Sequence, residues 1–312
     1  DRYDTAALVS AQAYPGGADV AVLASGASFP DALSVAPLAA KLNAPVLLTQ
    51  KDTLPSQTRS ELARLQPAHL IVVGGPQAVS DAVTKAAAKY AEEATRLSGL
   101  TRYETSLAVA DFGWEGGTDL AFVATGANFA DALTAGPAAG KSDAPVLLVP
   151  RRAGAETAAV RAKLQQLGVQ RVEVAGGTNA VSTSVLNSAI GPLPSIRRGG
   201  ADRYETAALV LEAHFSAPVA ALYWASGQNF PDALAAAGTA GALGAPLAIA
   251  RPGCIPLPVN RIAKSLEPSS QAVLGGTSAL SQDVARNNSC FAAAPRPTIS
   301  GKASVGSTLT AK

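Results

Sequence analysis

The chain has 312 residues, 48% of them hydrophobic, enough for two or three domains with a core in each. Its 25 Lys and Arg stand against 23 Asp and Glu; this excludes nucleic-acid binding driven by whole-protein charge, so any anion site must come from local clustering. No apolar run approaches the ~20 residues of a membrane span and no secretory hydrophobic region opens the sequence, so the reading expects a soluble chain from which any export signal has been removed.

In chain order, the first segment is Asp1-Arg2-Tyr3-Asp4-Thr5, followed by Ser25-Gly26-Ala27-Ser28-Phe29-Pro30-Asp31-Ala32-Leu33. The apolar run Ala44–Leu48 comes next, and then Gly74-Gly75 with Val79-Ser80. The same order returns about one hundred residues later as Thr101–Thr105, Thr125–Leu133, Ala144–Leu148 and Gly176-Gly177 with Val181-Ser182. It returns again as Asp202–Thr206, Ser226–Leu234, Ala245–Ile249 and Gly275-Gly276 with Leu280-Ser281. The chain is therefore three copies of one small domain, divided at 1–95, 96–195 and 196–291.

The second copy shows the predicted elements most fully. Arg96–Gly99 reads as a short strand, Arg102–Trp114 as an amphipathic helix and Leu120–Thr125 as a strand. Phe129–Leu133 opens an Ala-rich helix, Pro145–Val149 is a strand, and Glu156–Leu167 a polar helix. Strand Arg171–Ala175 and helix Ser182–Ala189 complete the unit. Strands separated by helices need crossover connections, which predicts a parallel sheet covered on both faces: α/β, three tandem Rossmann-like three-layer repeats. The first copy starts inside its first motif, without a counterpart of Arg96–Gly99 or Arg197–Gly200. At the other end, 292–297 reads as an Ala/Pro linker, and 298–312 as a stub resembling the opening strands of a bacterial immunoglobulin-like repeat.

These motifs, in one order in all three copies over residues 1–290, resemble the cell wall binding repeat type 2 family. The resemblance implies three copies packed about a pseudo-threefold axis. It further implies a secreted, surface-located anchor that holds its protein to the bacterial wall through an anionic, teichoic-acid-like glycopolymer, without cofactor or metal. Three equivalent sites suit a repetitive polymer, because each weak contact raises the effective concentration for the next.

Candidate ligand residues follow from chemistry. Arg2, Arg102 and Arg203 offer planar bidentate donors to phosphate or carboxylate, and Tyr3, Tyr103 and Tyr204 offer rings to a sugar. The alternative is a repeated internal Arg–Asp ion pair between the first and second motifs. Asp31, Asp131 and Asp232 sit where a strand meets a helix N-terminus, as polymer contacts or as helix-dipole partners, with Ser28 or Asn128 as caps. Gly75, Gly177 and Gly276 could form an amide nest for an anion, or a tight turn capped by Ser80, Ser182 and Ser281. Cys254 and Cys290, found in the third copy alone, lack metal-site spacing; in an exported chain they pair as a disulfide or remain thiols.

An enzyme reading finds little to build on. The two histidines, His69 and His214, do not recur, and no His-Glu-x-x-His, Gly-x-Gly-x-x-Gly, Walker or Gly-x-Ser-x-Gly motif is present. The rival from another class is a rigid scaffold or protein-binding module, whose repeated motifs serve folding alone.

Overall fold

The computed structural model describes residues 1–290 and a short antiparallel pairing of Ile299–Ser300 with Thr310–Ala311. The expected linker and the rest of the immunoglobulin-like opening lie outside the described residues.

The first repeat runs α1 (Arg2–Ala13), β1 (Val20–Ser25), α2 (Val35–Lys41), β2 (Val46–Thr49), α3 (Ser56–Leu65), β3 (His69–Val73), α4 (Asp81–Ala87) and β4 (Glu93–Leu97). The second runs α5 (Arg102–Gly113), β5 (Leu120–Thr125), α6 (Ala130–Lys141), β6 (Val146–Val149), α7 (Ala155–Gln166), β7 (Arg171–Ala175), α8 (Thr183–Ile190) and β8 (Ser195–Arg198). The third has α9 (Arg203–His214), β9 (Leu222–Ser226), α10 (Pro231–Ala242), β10 (Leu247–Ala250), α11 (Leu257–Ser265), β11 (Gln271–Val273) and α12 (Gln282–Ala285).

All three sheets are parallel, in the orders β2-β1-β3-β4, β6-β5-β7-β8 and β10-β9-β11. Such strands are buried on both faces, which is why β1 and β5 read as continuous apolar runs rather than alternating ones. Along β1, Val22 and Ala24 face a core shared by all three repeats, while Ala21 and Leu23 face a separate cluster under α3 and α4.

Strand pairing corrects one expectation. The strand at Arg96, expected to open the second copy, is β4; it bonds to β3 and completes the first sheet. In the same way β8 completes the second sheet. The boundaries at 95/96 and 195/196 therefore cut through strands, and the first sheet lacks nothing. The third has three strands among the described residues.

Helices α2, α6 and α10 pack on one another around the pseudo-threefold axis. They approach closely because their contact faces are small: a Cβ on Gly136 would lie 2.7 Å from Ala36 Cβ, and one on Gly238 2.7 Å from Ala39 Cβ. At the mouth of this bundle Phe29, Phe129 and Phe230, the phenylalanines of the second motif, form a cluster with ring centroids 5.4–6.1 Å apart. The arrangement is closed: α1 of the first repeat packs on α10 of the third. Cys254 and Cys290 form a disulfide, the paired outcome of the sequence reading, beside the Ile255–Ser289 bridge.

Candidate functional site

The three motifs each follow a strand. The first helix motif follows β4 or β8, the Phe-Asp motif follows β1, β5 or β9, and the Gly-Gly turn follows β3, β7 or β11. All therefore lie at the carboxyl edge of the sheets. The last two flank the point where strand order reverses, which is where open α/β sheets form a crevice.

In every copy the arginine of the first motif reaches back to the glycine of the second. Nη1 donates to the carbonyl of Gly26 from Arg2 (2.5 Å), of Gly126 from Arg102 (2.7 Å) and of Gly227 from Arg203 (2.5 Å). The neighbouring tyrosine packs on the same glycine, where a Cβ would come within 2.6–2.8 Å of the rings of Tyr3, Tyr103 and Tyr204. The Arg–Asp ion pair that stood as the alternative for these motifs is absent among the described residues; the carbonyl takes its place. Tyr204 is 6% exposed with the Arg251 guanidinium over its ring, so little of it remains for a sugar. Tyr3 and Tyr103 are half-buried.

Helix capping also differs from the expectation. Asp1, Thr101 and Asp202 cap α1, α5 and α9 by accepting from backbone amides of the first turn. Ser28 and Asn128 do not cap their helices; Asn128 instead accepts from the adjacent Phe129 amide. The Ser80, Ser182 and Ser281 caps behave as expected, on Val83, Val185 and Asp283.

The aspartates sit on the Gly-Gly turns. Gly74, Gly176 and Gly275 all have positive φ, and a Cβ on Gly176 would lie 2.7 Å from Asp131 Oδ2. These turns face the next copy across a groove. Between the first and second copies the groove holds Asp31, Gly75, Thr101, Arg102, Tyr103 and Arg151 in a cavity of about 860 Å³. Between the second and third it holds Asp131, Gly177, Arg197, Gly200, Asp202 and Arg203 in about 540 Å³. Two grooves thus collect residues of all three motifs from adjacent copies; in the first, Arg102 and Arg151 outweigh Asp31, whereas in the second Arg197 and Arg203 are balanced by Asp131 and Asp202. Between the third copy and the first, Gly276 instead faces Asp1 and an apolar surface, and neither Asp232 nor Arg2 lines that groove.

Within the groove between the second and third copies, burial raises the Asp131 carboxyl to about 6, against the attraction of Arg203. The Arg203 guanidinium also lies over the Phe129 ring at 5.4 Å. Only its Nη1 is engaged in hydrogen bonding among the described residues, which leaves the remaining N–H donors for a ligand. Arg197, whose pKa burial lowers, donates to the Gly176 carbonyl. Arg96 does the same to Gly74, so these arginines frame the Gly-Gly turns. Sequence reasoning did not select Arg96, Arg151 or Arg197. The recurrence of Arg-x-x-Gly at Arg96 and Arg197 was the signal for two of them.

A family model described as cell wall binding domain 2 matches residues 1–84, 96–186 and 197–285. The chain belongs to the cell wall binding domain 2 family. Curated relatives include an N-acetylmuramoyl-L-alanine amidase, LytC, of Bacillus subtilis, 32% identical over 288 residues, covering 91% of this chain and 56% of the relative. An amidase enhancer of the same organism is 30% identical over 245 residues, covering 78% and 33%. This cell wall binding chain thus spans about half or less of the curated relatives it matches. Among solved structures, Cwp6 from Clostridium difficile superposes with TM-score 0.83 at 24% identity, covering 93% of this chain and 47% of that one. Cwp8 from the same organism gives 0.81 at 25%, covering 92% and 49%. These matches agree with the α/β three-repeat architecture. No helix among the described residues is long and apolar enough to cross a membrane.

Proposed function

We propose that this chain is a noncatalytic wall anchor: it holds a secreted protein at the bacterial surface by binding an anionic, teichoic-acid-like wall polymer in the grooves between its copies. The observation that carries the reading is the convergence of arginine, aspartate and Gly-Gly turns from neighbouring copies in two grooves. Arg102 and Arg203 supply free guanidinium donors, Arg151 adds charge to the first groove, and the amides around Gly75 and Gly177 add uncharged donors. Tyr103 lines the first groove. The matched amidase and amidase enhancer are longer than this region, so we assign their named activities to parts outside it.

The scaffold reading also has a specific observation in its favour, the internal bond from each arginine to a glycine carbonyl. Co-sedimentation with bare cell walls, before and after chemical removal of their anionic polymers, separates the two. Loss of binding with the polymers is the expected result. Retained binding would redirect the anchor to peptidoglycan, and no binding to either preparation would leave the scaffold.

A further inference from the structure

The grooves between the first and second copies and between the second and third are built from matching positions, yet they differ where chemistry is carried. We propose, resting on the polymer-binding reading above, that they are unequal sites: the first groove captures the polymer's anionic group, and Arg151 and Leu100 set its affinity.

Charge separates the two first. In the first groove two arginines, Arg102 and Arg151, stand against Asp31, whereas in the second Arg197 and Arg203 face Asp131 and Asp202. Two exchanges contribute to the difference. The cap of α5 is the uncharged Thr101, where α9 is capped by Asp202. Arg151 stands two residues beyond β6, and the same place beyond β10 is held by Pro252. Backbone bonds confirm the register, since the amide of Ser80 donates to the Lys51 carbonyl at 2.9 Å and that of Ser281 to the Pro252 carbonyl at 2.7 Å. The nearest cation of the third copy, Arg251, is bridged to Cys254 and lies over the Tyr204 ring at 5.5 Å. Lys51, the counterpart of Arg151 in the first copy, donates to Gln77 at 3.2 Å and so sets a further cation behind a wall residue of the first groove.

Apolar surface separates them again. Leu100 is 96% exposed and lines the first groove with Pro76 and Tyr103. The matching positions at the second groove are Ala201, Thr178 and the buried Tyr204. A leucine alone on a surface implies nothing, but this one shares a cavity of about 860 Å³ with two arginines, against about 540 Å³ in the second groove. A phosphodiester flanked by the C–H face of a polymer unit satisfies both features. Arg102, oriented by its bond to the Gly126 carbonyl, and the exposed Arg151 take the charge, while Tyr103 and Leu100 cover the C–H face.

The test titrates the full chain at pH 7 with a phosphodiester oligomer too short to reach both grooves, following amide shifts by nuclear magnetic resonance. Gly75 and Leu100 report the first groove, Gly177 and Ala201 the second. The first pair should reach half-saturation at a concentration about tenfold lower than the second. Arg151→Gln should remove most of that lead. Pro252→Arg, which restores a cation at the matching place, should lower the concentration needed in the second groove by about threefold or more. Leu100→Ala should weaken the oligomer more than it weakens inorganic phosphate. Both pairs moving together, the second pair moving first, or a lead that survives Arg151→Gln would overturn the inequality and leave the anchor reading standing. Shifts at neither pair, in a chain that still sediments with cell walls, would overturn the inequality together with the grooves as the anion site.

Discussion

The arginines of the first motif answer to two demands, and substitution separates them. Each holds a glycine carbonyl through one guanidinium nitrogen, so Arg203→Ala removes that bond and its contact with Phe129. A loss of about 1–3 kcal/mol in stability is expected by chemical denaturation. Arg203→Lys keeps charge and can keep the carbonyl bond but loses the planar fork, so stability should largely return while polymer binding stays weak. Recovery of both together would make the role structural. Asp131 gives a separate handle through pH. Its acid form is favoured in the folded chain, at about 6 against 3.8 for the free residue. The folded state therefore holds the extra proton between those values, and stability falls as pH rises from about 4 to about 6, by about 3 kcal/mol, then levels off. Asp131→Asn should abolish that slope in pH-dependent urea melts and leave a more stable chain at pH 7. A polyanion in the same groove favours the protonated acid further. Binding of a phosphodiester polymer, whose own charge does not titrate in this range, should strengthen between pH 7 and pH 5 in the native chain and not in Asp131→Asn.

At the scale of elements, the third repeat holds together differently from its neighbours. Its last sheet strand has three residues, with no further strand beside it among the described residues, and its terminal helix has four. The Cys254–Cys290 disulfide closes this repeat across a separation of 36 residues. Chain entropy alone assigns such a loop about 4 kcal/mol. Replacing both cysteines by alanine should lower the melting temperature by that equivalent, and exchange should quicken first in α11 and α12. Uniform loss across all three repeats would contradict a local staple. These elements also show what a sequence reveals. Leu120–Thr125 and Arg171–Ala175 were legible to the residue, since continuous apolar runs bounded by turn residues have few other readings. The partner of β4 was not legible, because a tandem repeat has no intrinsic starting point. Spacing alone cannot say whether the strand at Arg96 closes one sheet or opens the next. The aspartates and Gly-Gly turns of the grooves stood out through recurrence, whereas the acceptor for each arginine did not. A backbone carbonyl has no signature in the sequence, which offers a ligand or an aspartate as the arginine's partner and not the glycine that it holds.

Taken whole, the molecule combines an almost neutral charge balance with two arginine-bearing grooves on one edge of a closed ring. An apolar core runs through all three repeats, and Lys41–Asp143 and the Glu173–His214 pair tie neighbouring copies. Burial works to raise the Glu173 pKa, but the hydrogen bonds and charges of His214 and Arg198 outweigh it and hold the carboxyl low. The grooves are therefore fixed relative to each other, and a long polymer reaching both gains from the second contact without reorganising the protein. A polymer too short to span them gains nothing beyond one groove. Affinity for size-fractionated phosphodiester polymer should rise steeply at the length that bridges the two grooves and change little beyond it. Arg102→Gln or Arg203→Gln should each erase that step and reduce the long polymer to the affinity of the short one. Raising salt from 0.05 to about 0.5 M should weaken both regimes, because screening shortens to within a few ångströms across open grooves. Calorimetric titration of each length fraction against the native chain and both variants measures the step directly. A smooth increase with length in all three proteins would mean that the grooves do not act as two linked sites.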